Sequence, residues 1–183
     1  NNGYLIIKQP WPAMTRGLLN DDKRYLETYW SKFENIWFHG DYVLVDKDNL
    51  WYMRGRTDDV INVSGHRMST AEIEHTVISH KKISDAASIS IPDELTGEAI
   101  VVFFVPENKN EINLEADIIE HINKKIGKIA KPKLIFQLSD LPKTRTGKIM
   151  RRLLKAKLTG NSLGDLSSLE NPDILKEIEK FKI

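Results

Sequence analysis

The aromatic residues of this 183-residue chain are distributed so unevenly that two different cores are required. All four Trp and all five Tyr lie within the first 52 residues, and Phe is the only aromatic residue after them. So short a segment cannot bury so many large rings by itself. We therefore predict a boundary near residue 57, with 1–57 as the end of a larger domain and 58–183 as a separate domain.

The composition indicates a folded, water-soluble chain. It contains 40% hydrophobic and 29% charged residues, which argues against general disorder. Its net charge of only +1 argues against binding of a polyanion by the whole surface. The absence of Cys excludes disulfides, thiolate zinc sites and a cysteine nucleophile. No apolar run approaches the roughly 20 residues of a membrane helix, and no secretory pattern opens the chain. We expect a cytoplasmic protein without a membrane partner.

The pattern of residues 1–57 predicts one helix and a hairpin. Residues 4–8 are expected to form a strand, and a loop broken by prolines follows it. Helical periodicity follows over 22–33. Strands at 42–45 and 50–54 then flank a polar turn.

Residues 58–183 predict an α+β domain, in which strands and helices alternate irregularly. Ser69 and Glu72 have the spacing of a capping box that opens a helix ending near 79. The short Asn171-Pro172 pair is typical of the cap and first turn of a terminal helix, and the acidic residues after 164 are expected to form a solvated tail. The other predicted elements are strands at 87–91, 99–105 and 133–137, a helix over 114–126, and a basic helix beginning near Lys148.

The strongest local signal is the basic segment 141–152, a glycine-containing loop that is expected to run directly into a helix. Amide groups at a helix start attract anions, and Lys143, Arg145 and Lys148 add positive charge. No acidic residue occurs over 141–164, so these charges are expected to act unopposed. The segment lacks the spacing of a Walker phosphate loop. Charge alone favours a solvated basic helix or a nucleic-acid surface.

Two further segments carry candidate site residues. In the β-branched segment 55–74, Gly65 either provides a turn with positive φ or lets a ligand pass close to the backbone. Asp41, in Trp-Phe-His-Gly-Asp, could bind a ribose diol or cap a turn.

Taken together, these three segments resemble the acyl-adenylate-forming superfamily, and the opening Gly-Tyr-Leu-Ile-Ile-Lys-Gln-Pro-Trp-Pro narrows the resemblance to the C-terminal part of AMP-forming acetyl-CoA synthetases. The resemblance implies a small mobile C-terminal domain, in which helices flank a short β-sheet. It also implies that residues 1–57 end the large N-terminal adenylation domain. The rest of that domain would be a partner outside this chain, and the chain alone would be inactive.

For the first half-reaction, in which ATP and acetate form acetyl-AMP and pyrophosphate, the resemblance implies four residues. Asp41 and Arg56 would hold the ribose hydroxyls of ATP, and Arg67 would approach the phosphates. Lys148 would be the catalytic lysine, which with Mg²⁺ offsets the repulsion between acetate and the α-phosphate.

For the second half-reaction, in which CoA attacks acetyl-AMP, the resemblance implies a rotation about a hinge at Asp58. Ser64 and Gly65 would then line the path of the CoA pantetheine. Where family members have an arginine that contacts CoA, this chain has Asn123. Either Lys124 or Lys125 takes over that contact, or the affinity for CoA is lower.

The resemblance also implies a structural Mg²⁺ held largely by main-chain oxygens of Ile78, His80 and Ile83, although His80 can equally be a histidine at a helix end. Lys148 would be a target for a lysine acetyltransferase and deacetylase, because acetylation removes its charge. Two alternative functions stay open: a ligase for propionate or another short acid, and a non-catalytic module that binds nucleic acid.

Overall fold

The computed structural model describes residues 2–57 and 59–181, so Asp58, the predicted hinge, lies outside the described residues. The contacts within the chain group it into two compact units, Asn1–Asp58 and Asp59–Ile183. None of the helices in the described part has the length and apolarity that crossing a bilayer requires.

The first unit is a three-stranded antiparallel sheet with one helix, and β2 is its central strand. Its elements are β1 (Asn2–Ile7), α1 (Asp22–Tyr29), β2 (Trp37–Val45) and β3 (Trp51–Arg56). The predicted hairpin is present, and the Asp46 carboxylate orders its turn by accepting the Asp48 and Leu50 amides at 2.8 and 3.0 Å.

Aromatic packing explains why α1 is shorter than predicted. The helix ends at Tyr29 rather than Phe33. Beyond that point Trp30 packs edge-on against Trp37, and Phe33 packs against Phe38. Continuing the helical spacing would carry these rings away from their partners on β2, so ring packing outweighs the periodicity.

The second unit is a mixed sheet in the order β5-β4-β7-β6, with β8 parallel to β7. Among the described residues, four α-helices pack on this sheet. The elements are β4 (Val60–Val63), β5 (His66–Ser69), α2 (Thr70–Ile78), β6 (Ile83–Asp93), β7 (Gly97–Pro106), α3 (Glu115–Lys125), β8 (Leu134–Gln137), α4 (Arg151–Thr159) and α5 (Ile174–Ile178).

Strand β7 divides the core of this unit into two layers, because successive side chains of a strand point to opposite faces. One layer lies against α4 and α5, and the other against α2 and α3. Ala99, Val101 and Phe103 belong to the first layer, and Ile100, Val102 and Phe104 to the second. A central strand buried on both faces produces the continuous apolar run seen in the sequence.

Three local predictions for this unit are corrected by the structure. Helix α2 begins where expected, but the Ser69 side chain makes no capping hydrogen bond. Helix α4 begins at Arg151, after a separate hairpin, rather than near Lys148. Helix α5 begins at Ile174 with Asp173 before it, so Asn171 is not its cap.

The acidic C-terminal segment is also not a solvated tail. Ile174, Leu175 and Ile178 of α5 are buried in the core layer that contains α4. The spacing of these three residues places them on one face of a helix, which is enough to anchor the segment.

Candidate functional site

In the first unit, the structure brings Asp41 and Arg56 together. They are directly opposite each other on β2 and β3. The Arg56 guanidinium lies 3.4 Å from the Asp41 carboxylate and donates to the backbone carbonyl of His39 at 3.1 Å. On its other side the carboxylate lies 2.5 Å from Nδ1 of His39. Asp41 is therefore held by two neighbours rather than free to cap a turn.

His39 and Gly40 belong to this group, although the sequence analysis did not select them. Gly40 has a φ of +88°, and a Cβ there would lie 2.5 Å from the Arg56 guanidinium. A side chain at position 40 would displace Arg56 from Asp41. The signal was present in the sequence, because residues two apart on a strand, such as His39 and Asp41, share a face.

In the second unit, β4 and β5 form what we call the Gly65 hairpin, residues 60–69. Its turn is Ser64-Gly65, and both residues have positive φ, at 49° and 83°. Such two-residue turns strongly favour glycine. A Cβ built on Gly65 would meet no atom within 4 Å, so the outer side of this backbone is open. Both interpretations of Gly65, as a turn residue and as a place of close approach, are compatible with this geometry.

Main-chain bonds hold the Gly65 hairpin on the sheet. The Ser64 amide donates to the Thr96 carbonyl at 2.9 Å, and Val63 pairs with Gly97 of β7. Arg67 lies on β5 opposite Asn62 and is exposed. A ligand could therefore reach Arg67 without a change in the hairpin.

Lys148 lies on a second tight turn, which we call the Lys148 hairpin, residues 143–149. Lys143 and Ile149 pair across it. The Thr144 amide donates to the Lys148 carbonyl at 2.9 Å, and the Lys148 amide donates to the Thr144 hydroxyl at 3.1 Å. The Lys148 backbone is thus fixed on both sides while its side chain is exposed. An anion here would meet a cation on a hairpin, not the helix start that the sequence predicted.

The basic residues around Lys148 do not act unopposed, which corrects the prediction. Lys143 lies 2.9 Å from Asp85 and 3.0 Å from Asp140. Burial lowers the pKa of Lys143, but its hydrogen bonds to these two carboxylates outweigh burial and raise the pKa. Lys157 likewise pairs with Glu179 at 3.1 Å. Within the described ranges, Lys148 itself has no carboxylate at ion-pair distance.

A buried ion pair joins the elements that follow the two hairpins. Arg151, at the start of α4, donates to both carboxylate oxygens of Glu74 on α2, at 2.8 and 2.6 Å. Glu74 is only 6% exposed and also accepts the Ser88 amide at 2.7 Å. Hydrogen bonds to Glu74 raise the pKa of Arg151. This pair was not predicted from the sequence, although Glu74 lies beside Ile73 and Val77 on the apolar side of α2.

Lys124 lies at a shallow depression of about 250 Å³ on α3. The depression is lined by His80, Asp117, Glu120, His121 and Lys124. Lys124 and Lys125 are both exposed. The side-chain oxygen of Asn123 is instead buried and has no hydrogen-bond partner among the described residues. The two exposed lysines can therefore reach a negatively charged ligand.

The three predicted metal-site residues flank the connection from α2 to β6. The His80 carbonyl accepts the Ile83 amide at 3.0 Å, and Ile78 is the last residue of α2. Nδ1 of His80 is buried without a described partner, and its ring packs edge-on against His121. No group of three or more His, Asp or Glu side chains among the described residues could hold a metal. A cation here would depend on carbonyl oxygens, which suit the hard ion Mg²⁺.

Comparison with known proteins identifies the second unit. Residues 72–148, from α2 to the end of the Lys148 hairpin, match the family described as AMP-binding enzyme C-terminal domain. Over these residues the second unit is similar to an AMP-binding enzyme C-terminal domain. The matched range ends at Lys148, so α4 and α5 lie beyond it.

Curated relatives extend the match over nearly the whole chain. The chain is 45% identical over 180 residues to acetyl-coenzyme A synthetase of Pyrobaculum arsenaticum, covering 97% of this chain and 27% of the relative. It is 46% identical to the acetyl-coenzyme A synthetase of Emericella nidulans, covering 96% of this chain and 27% of the relative. The chain is thus homologous to the C-terminal portion of acetyl-CoA synthetases and spans about a quarter of their length.

Solved structures support the predicted α+β fold class. Acetoacetyl-CoA synthetase from Streptomyces lividans matches with a TM-score of 0.83 at 24% identity, over 98% of this chain and 28% of that chain. The amide bond synthetase McbA from Marinactinospora thermotolerans matches with a TM-score of 0.71 at 19% identity, over 87% of this chain and 32% of that chain. At these identities the likeness concerns the fold.

Proposed function

We propose that this chain is the C-terminal part of an acetate:CoA ligase, which converts ATP, acetate and CoA into AMP, pyrophosphate and acetyl-CoA through acetyl-AMP. The observation that carries the proposal is the 45% identity to an acetyl-CoA synthetase across 97% of this chain. The part proposed for this chain is to supply the catalytic lysine and the backbone that CoA passes.

Lys148 is the proposed catalytic residue of the adenylation step. Acetate and the α-phosphate are both negative, so their approach requires a cation that is placed in advance. The exposed ammonium of Lys148, without a carboxylate at ion-pair distance in the described part of the chain, is available for this purpose. A neighbouring carboxylate would have cancelled the charge that the transition state requires.

Asp41 and Arg56 are the proposed ribose-binding residues, and Arg67 the proposed phosphate-binding residue. A carboxylate that is already oriented by His39 and Arg56 can accept hydrogen bonds from a ribose diol without losing side-chain entropy on binding. Arg67 is exposed and can pair with phosphate oxygens in a bidentate way.

Ser64 and Gly65 are proposed to line the path of CoA in the thioester-forming step. The open space outside Gly65 allows a narrow chain such as pantetheine to pass beside bare backbone. Lys124 is proposed to contact a CoA phosphate in place of Asn123, because its ammonium is exposed and carries the positive charge that an amide lacks.

Mg²⁺ is proposed at two places. With ATP it would neutralise charge on the leaving pyrophosphate. A second ion would be held by carbonyl oxygens of Ile78, His80 and Ile83. This arrangement fits the available donors, since the His80 carbonyl accepts one hydrogen bond and retains a second lone pair.

A larger adenylation domain is the proposed partner of residues 1–57, and Asp58 the proposed hinge between it and the mobile domain. Strand β3 supports this view, because Trp51 and Met53 are 61% and 58% exposed. Two neighbouring apolar side chains on one strand face indicate a surface that another part of the protein covers.

Two alternatives differ in their support. A ligase for propionate or another short acid is equally compatible with the site, because none of the proposed site residues is assigned to the acyl group. A nucleic-acid module is disfavoured, because Lys143, Arg151 and Lys157 are paired with carboxylates.

Acetylation of Lys148 by a lysine acetyltransferase, reversed by a deacetylase, is proposed to stop adenylation by removing its charge.

The test separates the two half-reactions in the full-length enzyme. Lys148→Ala is expected to lower acetate-dependent ATP–pyrophosphate exchange by at least about a hundredfold, while acetyl-AMP plus CoA still yields acetyl-CoA. Gly65→Leu is expected to do the reverse, because its side chain fills the path of pantetheine. Lys155→Ala, an exposed lysine of the same basic run, is the matched control.

Two results would contradict the proposal. One is a similar loss in the same half-reaction for Lys148→Ala and Gly65→Leu. The other is pyrophosphate exchange by the 183-residue chain alone, since the proposal assigns most of the substrate pockets to the larger domain.

A further inference from the structure

The C-terminal segment beyond the family match folds back onto the Lys148 hairpin. The family match ends at Lys148, and residues 166–171 lie well outside it. Nevertheless, Leu169 pairs with Thr144, and the Glu170 amide donates to the Lys143 carbonyl at 2.9 Å. This segment therefore pairs with the Thr144 side of the hairpin through one isolated bridge and one main-chain hydrogen bond.

Asn171 makes the densest set of contacts in this segment. Its side-chain oxygen accepts the Lys143 amide at 3.1 Å. Its side-chain nitrogen donates to the Asp140 carboxylate at 2.9 Å and to the Leu141 carbonyl at 2.8 Å. One amide thus connects Asp140, Leu141 and Lys143 at the base of the hairpin, and it uses both its donor and acceptor groups.

Thr144 links the segment 169–171 to the backbone of Lys148. Thr144, which pairs with Leu169, exchanges two hydrogen bonds with the Lys148 backbone, through its own amide and its hydroxyl. Lys143, which Asn171 binds, pairs with Ile149 on the other side of Lys148. The segment 169–171 therefore contacts Lys143 and Thr144, and Thr144 in turn is hydrogen-bonded to Lys148.

The segment that holds the hairpin is itself anchored on both sides. After Asn171, helix α5 is buried in the core through Ile174, Leu175 and Ile178. Before it, the Arg152 guanidinium donates to the carbonyls of Leu163 and Asp165. An anchored segment can hold a hairpin in one position, whereas a solvated tail could not.

We propose that Asn171 is a positioning residue for Lys148: with residues 169 and 170 it fixes the base of the Lys148 hairpin and so sets where the ammonium stands during adenylation. Asn171 reaches the hairpin base and not the reacting atoms. The inference rests on the proposed function of Lys148, and its reasoning is that a small displacement of a catalytic group can lower a rate by about a hundredfold.

The substitution that tests this is Asn171→Asp, which keeps the size of the side chain. An aspartate can still accept a hydrogen bond from the Lys143 amide, but it cannot donate to the Asp140 carboxylate or the Leu141 carbonyl. Its negative charge would also repel the Asp140 carboxylate. The matched control is Asn161→Asp, because Asn161 is exposed and its side-chain nitrogen reaches only the nearby Thr159 hydroxyl.

In the full-length enzyme, Asn171→Asp is expected to lower kcat of ATP–pyrophosphate exchange by about tenfold to a hundredfold with little change in KM for ATP. Conversion of acetyl-AMP and CoA should change less than about twofold, since Lys148 has no part in that step. A merely structural role would lower both half-reactions together, and that result, or no change in either, would overturn the inference.

Hydrogen exchange on the 183-residue chain tests the same inference without activity. Asn171→Asp should speed exchange of the Thr144 and Lys148 amides while the β7 amides stay protected. Unchanged exchange at these two amides would overturn the inference even if the enzyme forms acetyl-AMP. If Asn171→Asp also exposes β7, Asn171→Ser, which keeps a small hydrogen-bonding group, decides by the same criterion. A wild-type enzyme that forms no acetyl-AMP refutes only the proposed function.

Discussion

The Gly65 hairpin and the Lys148 hairpin are both short turns with an exposed end and a glycine of positive φ, but they are supported differently. Strand pairing and the amide of Ser64 hold the Gly65 hairpin on the central sheet. The Lys148 hairpin has main-chain bonds from Thr144 and Met150, and it also depends on two side chains, the Thr144 hydroxyl and the Asn171 amide. Main-chain support tolerates most substitutions, whereas side-chain support makes a few residues indispensable.

The Glu74–Arg151 ion pair connects the two helices that follow the two hairpins. Helix α2, which carries Glu74, directly follows the Gly65 hairpin, and α4, which begins at Arg151, directly follows the Lys148 hairpin. The sheet lies between these helices, and Glu74 also reaches it through the Ser88 amide. Loss of this pair should therefore disturb both hairpins at once.

The largest effect is expected for Glu74→Ala, which leaves the Arg151 guanidinium half-buried and the Ser88 amide without its acceptor. Breaking a buried ion pair by removing one partner costs about 3–5 kcal/mol of unfolding free energy. Urea unfolding of the 183-residue chain measures this. Glu72→Ala on the exposed side of the same helix is the control, and an equal loss for the two variants would mean that the pair does not join the hairpins.

A smaller effect is expected for the two turn glycines. Gly65 and Gly147 have φ values of +83° and +82°, and a Cβ at either would meet no atom within 4 Å. Backbone strain is then the only penalty, so Gly65→Ala and Gly147→Ala should each destabilise the chain by about 1–2 kcal/mol. In the full-length enzyme Gly147→Ala should impair adenylation and Gly65→Ala thioester formation. If both impair the same step, the functional contrast between the hairpins is lost.

The smallest effect is expected in acid, where a different aspartate supports each hairpin. Hydrogen bonds from Lys133 and Thr96 hold the pKa of Asp93 far below its ordinary value, and the Thr96 carbonyl accepts the Ser64 amide. Beside the other hairpin, burial raises the pKa of Asp140, but hydrogen bonds from Lys143 and the Leu141 amide outweigh it and lower the pKa.

The depressed pKa values determine how the stability at each hairpin changes with pH. Both aspartates contribute stability above their unfolded pKa of about 3.9, and this contribution is lost as the pH falls through the folded pKa. Because the pKa of Asp93 is depressed more strongly, the amides of the Lys148 hairpin should lose exchange protection at a higher pH than those of the Gly65 hairpin. Asp140→Asn and Asp93→Asn should each remove the pH dependence at one hairpin only. The opposite order of loss would contradict this assignment.

Elements with a local cause were predictable from the sequence. The apolar run of β7, the apolar face of α3 through Ile118 and Ile122, and the Ser64-Gly65 turn all appear where the pattern indicated them. Each depends on backbone preferences and on a period of neighbouring residues, which are written in consecutive positions. The resemblance to acyl-adenylate-forming enzymes likewise depended on short consecutive segments.

Only the tertiary structure decided the electrostatics around Lys148. The sequence contains no acidic residue over 141–164. Nevertheless, Lys143 pairs with Asp85, which lies 58 residues earlier in the chain, and Arg151 pairs with Glu74, which lies 77 residues earlier. Likewise, Asn171 has a sequence context typical of a helix cap but binds the base of the Lys148 hairpin instead. Such contacts depend on how helices pack on a sheet, and local preference does not specify the partner of a polar group. The sequence by itself thus indicated most of the elements and selected Lys148 as a candidate, and the packing decided what holds that lysine in place.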